Sequence, residues 1–300
     1  MNTKYLAILL LAFCSAFVAC KEEDLSDADI PGLGRDTWAD GPIDVWIRDS
    51  LTKNYNVAVK YKWDQAELDF GKNLVPPKEE NIIPVLSTIR SVWLDTYIAE
   101  AGLPFVKRLV PKFFVLVGSA SYNTDGTITL GTAEGGRRVL LYVINDFRVR
   151  GMTGYVPSDS FNVKEMFHTI EHEFGHILHQ NILYTPDFKR ISVGMYTSNW
   201  NNISDRQAQA DGFISAYAMS SPDEDFVEMI SLMLIEGRGG FNNLLASITT
   251  NGPNGTTPDQ ARAKLRQKEA IVVSYFKDTW SIDFYSLQAR TRAAVERLIK

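Results

Sequence analysis

Cysteine is nearly missing from this chain of 300 residues: there are two, Cys14 and Cys20, both ahead of the part that reads as folded. That excludes an internal disulfide framework and leaves no cysteine in the body of the protein to bind a metal. Histidine is almost as scarce, with four in the whole chain. Positive charge is outnumbered, 31 Lys and Arg against 36 Asp and Glu, for a net charge of -5. An acidic chain is poorly matched to a phosphate backbone, which argues against nucleic acid as the main partner. The apolar run from Leu6 to Val18 is too short to span a bilayer comfortably. Internal repeats are absent. What remains is 45% hydrophobic and 22% charged, enough for an ordinary globular protein of one or two domains with a sizeable core.

The few histidines are not scattered. His168, His172, His176 and His179 fall within twelve consecutive residues. Steps of four, four and three keep them on one face of an α-helix. Asn162 reads as the N-cap of that helix, Glu165 as the reciprocal acceptor of a capping box, and Phe161 as a staple onto Met166.

Within it stands His172-Glu173-Phe174-Gly175-His176. Two imidazoles one turn apart can share a single tetrahedral zinc ion. Glu173 then lies beside the open position, where it can take a proton from water whose pKa the metal lowers. A chance match is the competing reading, expected about once in a hundred chains of this composition. Gly175 costs about 1 kcal/mol in a helix relative to Ala, which implies a packing reason such as close approach of another backbone. His168 and His179 read as helix-surface or orienting residues rather than ligands.

A catalytic zinc needs a third protein ligand. Ser221 to Ile235 reads as a buried helix, with Ser221 as N-cap, Pro222 at its first position and Gly237 past its end. It carries Glu224 and Glu228 one turn apart, and an unpaired carboxylate there is costly. Glu224 can be the third ligand, and Glu228 can accept the free ring N–H of His172 or His176. Against this, Ser221-x-x-Glu224 is itself a capping box, although the cap leaves Glu228 unexplained. Asp225 is a lesser candidate, pointing about 100° away.

Elsewhere the chain speaks mainly of packing. Pro42 to Asn54 and Ile82 to Glu100 read as helices, the second with Ile82, Leu86, Ile89, Trp93 and Tyr97 on one stripe and a stop at Leu103-Pro104. Val57 to Lys62, Phe113 to Gly118, Thr127 to Leu130 and Val139 to Ile144 read as strands, with a turn at 123–126. Trp46, Trp63 and Trp93 read as core or sheet-face residues. The stretch 182–202 shows no periodicity and reads as a surface excursion rimming a cleft. Helices from Thr257 to about Lys277 and from about Asp283 to Leu298 complete the chain.

The N-terminus reads as a targeting segment, with Lys4 ahead of the apolar run. It ends in Phe17-Val18-Ala19-Cys20, which resembles a bacterial lipobox and implies cleavage after residue 19 and acylation of Cys20; a plain signal peptide is the alternative. Lys21-Glu22-Glu23-Asp24 resembles the export signal of Bacteroidetes surface lipoproteins, or is a solvated tether. The expected organisation is a leader at 1–19, a flexible tether at 20–36 and a single domain at 37–300. That domain divides into an α/β part (37–160), the zinc site (161–237) and C-terminal helices (238–300).

The His172-Glu-x-x-His176 motif followed 48 residues later by Glu224-x-x-x-Glu228 resembles the gluzincin pattern, and more closely the lethal-factor-type metalloproteases. That likeness implies His172, His176 and Glu224 as ligands, Glu173 as base and Glu228 as their support. It also implies Tyr217, seven residues before Glu224, as oxyanion stabiliser; a tyrosine at such a place is otherwise a core residue. Over most of its length the chain resembles the zinc metallopeptidase lipoproteins of gut Bacteroidetes, also called substrate import-associated zinc metallohydrolase lipoproteins. The matching stretches are the lipobox, His172 to His179, Gly212 to Ala218 and Ser221 to Glu228.

The fold expected is α+β and zincin-like: a small mixed sheet packed on the histidine helix, with a helical C-terminal lobe. The function expected is a peptidase with one Zn2+ ion, held at the outer membrane by its lipid anchor, surface-exposed or else facing the periplasm. Its implied partners are a peptide or protein substrate and an outer-membrane nutrient importer. Two alternatives stand beside this: an accessory lipoprotein of an import complex with a structural zinc, and a hydrolase of some other amide.

Overall fold

The computed structural model describes residues 39–300 apart from 65, 66, 69, 70, 124–127, 130 and 135–137. The leader, Cys20, the tether and most of the 123–126 turn therefore lie outside the described residues. No helix among the described residues is long and apolar enough to cross a membrane.

Helix α1 (Pro42–Ile47) runs on through a π turn (Arg48–Thr52) to Tyr55. Helix α2 (Glu79–Ile89) likewise continues through a π turn (Arg90–Leu94) into Asp95–Ala101. Its stripe of Ile82, Leu86, Ile89, Trp93 and Tyr97 is fully inside the core. Gly102, at φ 81°, stops it, and α3 (Leu103–Leu109) begins at once with Pro104 in its first turn. The expected stop at Leu103-Pro104 is thus a start: a proline's missing N–H costs nothing in a first turn. Trp93 is buried and Trp46 packs on the core, but Trp63 is exposed.

The strands are β1 (Ala58–Lys60), β2 (Phe113–Leu116), β3 (Ser121–Tyr122), β4 (Ile128–Thr129), β5 (Gly131–Glu134) and β6 (Arg138–Leu141). The main sheet has the order β1-β2-β6-β5, with β3 and β4 forming a separate ribbon. β1, β2 and β6 are parallel, and β5 runs antiparallel to β6 at the edge. Phe114, Leu116, Val139 and Leu141 face the main core, while Val115, Val117, Leu140 and Tyr142 form a smaller cluster with Leu74. Burial on both faces explains the continuous apolar runs in these strands.

Two long helices build the site, with two short ones between them in the chain. The histidine helix α4 (Asp159–Asn181) lies under β5, so closely that a Cβ on Gly131 would stand 2.2 Å from Thr169 Cγ2. Its start differs from expectation. Val156 N–H donates to Asp159 Oδ2 at 2.9 Å and the helix begins there, with Asn162 already inside it. Phe161 is exposed, so no staple forms. The short α5 (Asp187–Ile191) and α6 (Asp205–Ala210) follow, α6 with a full Ser204–Gln207 capping box.

The glutamate helix α7 (Pro222–Ser247) packs along the histidine helix. A Cβ added to Gly175 would meet Val227 Cγ1 at 3.0 Å, so the glycine makes room for a packed side chain rather than for another backbone. Gly237 breaks α7 at φ 68°, ψ 178°, and the helix resumes beyond it rather than ending. Helix α8 (Pro258–Trp280) starts on the expected Thr257–Gln260 box, and α9 (Phe284–Ile299) on Asp283.

Lys268 of α8 is fully buried and pairs with Asp225 of the glutamate helix at 2.7 Å. It also donates to Gly212 O at 2.9 Å, while Tyr196 Oη donates to Asp225 Oδ2 at 3.0 Å. One buried ion pair thus fastens the glutamate helix, the C-terminal lobe and the loop segments on either side of α6.

Candidate metal site

His172 and His176 stand one turn apart on the buried side of the histidine helix, and Glu224 opens the first turn of the glutamate helix. Packing of the two helices brings three side-chain atoms together. His172 Nε2 and His176 Nε2 are 3.2 Å apart. Glu224 Oε2 lies 3.0 Å from the first and 3.2 Å from the second. Atoms bonded at about 2.0–2.1 Å to one tetrahedral zinc would sit about 3.3 Å from one another. Two ring nitrogens and a carboxylate oxygen in so small a triangle need a shared positive charge, and their chemistry suits zinc. Ser221 Oγ accepts from Glu224 N–H at 3.2 Å, so the cap is present, but the Glu224 carboxylate is turned to the imidazoles instead of closing a capping box.

The supports of the two imidazoles are different. Glu228 Oε1 lies 2.8 Å from His172 Nδ1 and 2.7 Å from His168 Nε2. Ser215 Oγ donates to Glu228 Oε2 at 2.5 Å and accepts from Ala218 N–H at 3.1 Å. A single buried carboxylate therefore orients His172 and ties down the turn that carries Tyr217. His176 Nδ1 instead lies 3.0 Å from His179 Nε2, and the other nitrogen of His179 is buried without a partner among the described residues. Asp225, the lesser candidate, is engaged by Lys268.

The electrostatics follow from this packing. Burial raises the pKa of Glu228 and of Glu224, but the imidazoles reverse it. His168 and His172 hold Glu228 far below the usual range, and His172 and His176 bring Glu224 down to about 2. Burial opposes a charge on His172, yet Glu224 and Glu228 together push its pKa up to about 10. The Glu173 charge acts on both His172 and Tyr217. Tyr217 is 37% exposed, and its ring centroid is 5.7 Å from that of His172 and 4.8 Å from that of Trp200. Burial, then the charges on Glu224, Glu228 and Glu173, raise its pKa, so the hydroxyl keeps its proton.

Ser215 and Trp200 were not singled out in the sequence. A serine two residues before Tyr217 carries no spacing signal of its own, because its partner lies 13 residues away on another element. A second set of groups close enough to share an ion, His168, His172 and Glu228, overlaps the first at His172. It uses the ring nitrogen opposite the triangle, where the short contacts read as hydrogen bonds to one carboxylate.

A mixed sheet with an antiparallel edge is laid on a helix whose histidines meet a carboxylate from the next long helix, and together they outline a site for a metal ion. The family model described as "Putative zinc-binding metallo-peptidase" matches residues 36–285, and the chain belongs to that family. A crystal structure of a "putative zinc-binding metallo-peptidase" from Bacteroides caccae superimposes with a TM-score of 0.66 at 30% sequence identity. The match covers 86% of this chain and 95% of that one. No functionally curated protein matches the sequence.

Proposed function

We propose that the protein is a zincin-like zinc peptidase with a lethal-factor-type arrangement of its site. The observation that carries this reading is the convergence of His172 Nε2, His176 Nε2 and Glu224 Oε2 within 3.2 Å of one another, with Glu173 beside them. These three residues would hold one Zn2+ ion. A bound zinc ion supplies Lewis acidity, polarising a carbonyl and making water acidic enough to attack it at neutral pH.

The rest falls to the chain's own residues. Glu173 takes the proton of the attacking water and returns it to the leaving amine. The Tyr217 hydroxyl, kept protonated, donates a hydrogen bond to the oxygen that becomes negative. Glu228 and His179 fix the ring orientations. The outer edge of β5, lying over Thr169 on the histidine helix, offers main-chain pairing to an extended peptide. His179 and Asp225, which could close a purely structural site, are engaged by His176 and Lys268, which favours an open position and turnover. The lipobox and the acidic stretch after Cys20 support display on the outer membrane by a lipid anchor, beside a nutrient importer that supplies or receives the substrate.

The test pairs zinc content with peptide cleavage in the mature protein and in Glu173→Gln. The variant should keep one zinc per chain and lose cleavage by a factor of about 10²–10⁴. Stoichiometric zinc with no Glu173-dependent hydrolysis would overturn the reading.

A further inference from the structure

Two turns before His172, the histidine helix walls a cavity that the reaction above does not use. It is a small hollow, open to solvent, lined by Tyr142, Val143, Phe147 and Met166 as apolar walls, with Asn162 and Glu165 as its polar groups. Glu165 is half-buried, and its carboxylate accepts no hydrogen bond and joins no ion pair among the described residues. The charged groups facing it are His168, Glu228, Asp205 and Glu236, three of them negative. The nearby positive charges are already engaged: His168 lies 2.7 Å from Glu228, and Lys164 lies 2.8 Å from Glu236. A carboxylate on an apolar wall, in surroundings of its own sign, is matched by a cation that arrives with an apolar stem.

The cavity is aligned with the metal site. At 100° per residue, Asn162, Glu165, Thr169, His172, Glu173 and His176 share a sector of about 100° on the helix. Edge strand β5 crosses this face at Thr169, between the cavity and the histidines. Glu165 is seven residues before His172, about 10 Å along the axis. An extended peptide covers that distance in about three residues.

One wall is unusually fixed. Val143 sits at φ 64°, ψ 23°, a left-handed conformation that a β-branched residue rarely adopts. It is held there by its N–H on Ser119 O at 3.0 Å and by Ile144 N–H on Val117 O at 3.1 Å. Strained backbone of this kind persists only where its surroundings over-determine it, and it concentrates at ligand sites.

We infer that this cavity is a specificity subsite for the lysine or arginine side chain of a peptide substrate, about three residues from the bond cleaved, with Glu165 pairing to the cationic head. The inference rests on the peptidase reading above. The methylene stem lies against Tyr142, Phe147 and Met166, and the ammonium or guanidinium group meets Glu165. Acidic side chains are repelled, and neutral ones gain only the apolar contact.

The test uses quenched fluorescent peptides in which each position up to four residues either side of the cleaved bond is Lys, Arg, norleucine or Glu, with the amino terminus free or acetylated. The zinc-loaded protein should favour Lys or Arg over norleucine by about tenfold or more in kcat/KM at one position, whether or not the terminus is acetylated. Glu165→Gln should level that preference while cleaving the norleucine peptide within about twofold of the parent. Glu165→Lys should turn the preference toward Glu. An equal Lys-to-norleucine ratio in the parent and Glu165→Gln overturns the inference, as does a preference that vanishes on acetylation.

If no peptide is cleaved, the peptidase reading fails separately, and the subsite is read by binding. Fluorescence polarisation then compares Lys and norleucine peptides on zinc-loaded Glu173→Gln and Glu173→Gln/Glu165→Gln. A Lys preference of about tenfold that disappears with Glu165→Gln supports the subsite, and equal affinities overturn it.

Discussion

The two imidazoles of the site are held in unlike ways. His172 lies deep, with Glu228 behind it, and that carboxylate also engages His168 and Ser215. His176 is less buried and leans on His179, a neutral ring whose far nitrogen finds no partner among the described residues. One support is a charged hub joining two helices and the Tyr217 turn; the other is a single contact within one helix. The difference separates architecture from tuning. The Glu228 side builds the site as well as orienting an imidazole, whereas the His179 side only orients one.

Removing the hub should therefore have the largest effect. Glu228→Ala strands His168, His172 and Ser215 together, and should cost about 3–5 kcal/mol of stability in denaturant unfolding and about a hundredfold in zinc affinity. His179→Phe should weaken zinc binding by about tenfold, at the lower end of such effects. It should leave the metal-free protein no less stable, because the buried orphan nitrogen goes with the ring. Competition against a chelator, run on both variants, decides this comparison. Equal losses of affinity and stability would erase it.

A smaller, graded effect lies in pH. In the metal-free protein, His172 is raised from 6.5 to about 10 by Glu224 and Glu228 against the effect of burial. The stability from that proton is fully present below pH 6.5 and is lost as pH rises through about 10. Zinc needs the same ring neutral, so its stabilisation has the opposite slope. The gap in Tm between zinc-loaded and chelator-treated protein should widen from pH 6 to pH 9, and a constant gap would mean that His172 does not exchange a proton for the metal.

The sequence announced those parts of the site in which residue type and spacing within one element suffice. His172, Glu173 and His176 share a helix face by arithmetic alone, and the caps at Ser221 and Thr257 rest on local hydrogen bonds. The ambiguity over Glu224 could not be resolved locally, since cap and ligand demand the same residue and only the packing of two helices turns the carboxylate. β5 gave no strand signal: Gly131-Thr-Ala-Glu134 has neither alternation nor β-branched bulk beyond Thr132, and it is a strand because the edge of β6 needs a partner. The histidine helix starts four residues earlier than a cap at Asn162 implies, because Asn162 is a good cap only in isolation and the Val156–Asp159 turn starts the helix first. Lys268 reads as one more charge on a polar helix, and nothing local reveals that it is buried against Asp225. Leu103-Pro104 and Gly237 were read as helix ends, yet each lies where one helical stretch gives way directly to the next.

The central claim is a place for one ion. Crystals of the zinc-loaded protein, with anomalous diffraction collected at the zinc edge, test it most directly. The account predicts a single peak bonded to Nε2 of His172, Nε2 of His176 and Oε2 of Glu224, with His172 Nδ1 still on Glu228. A peak among His168, His172 and Glu228 instead, or none at stoichiometric zinc, would contradict it.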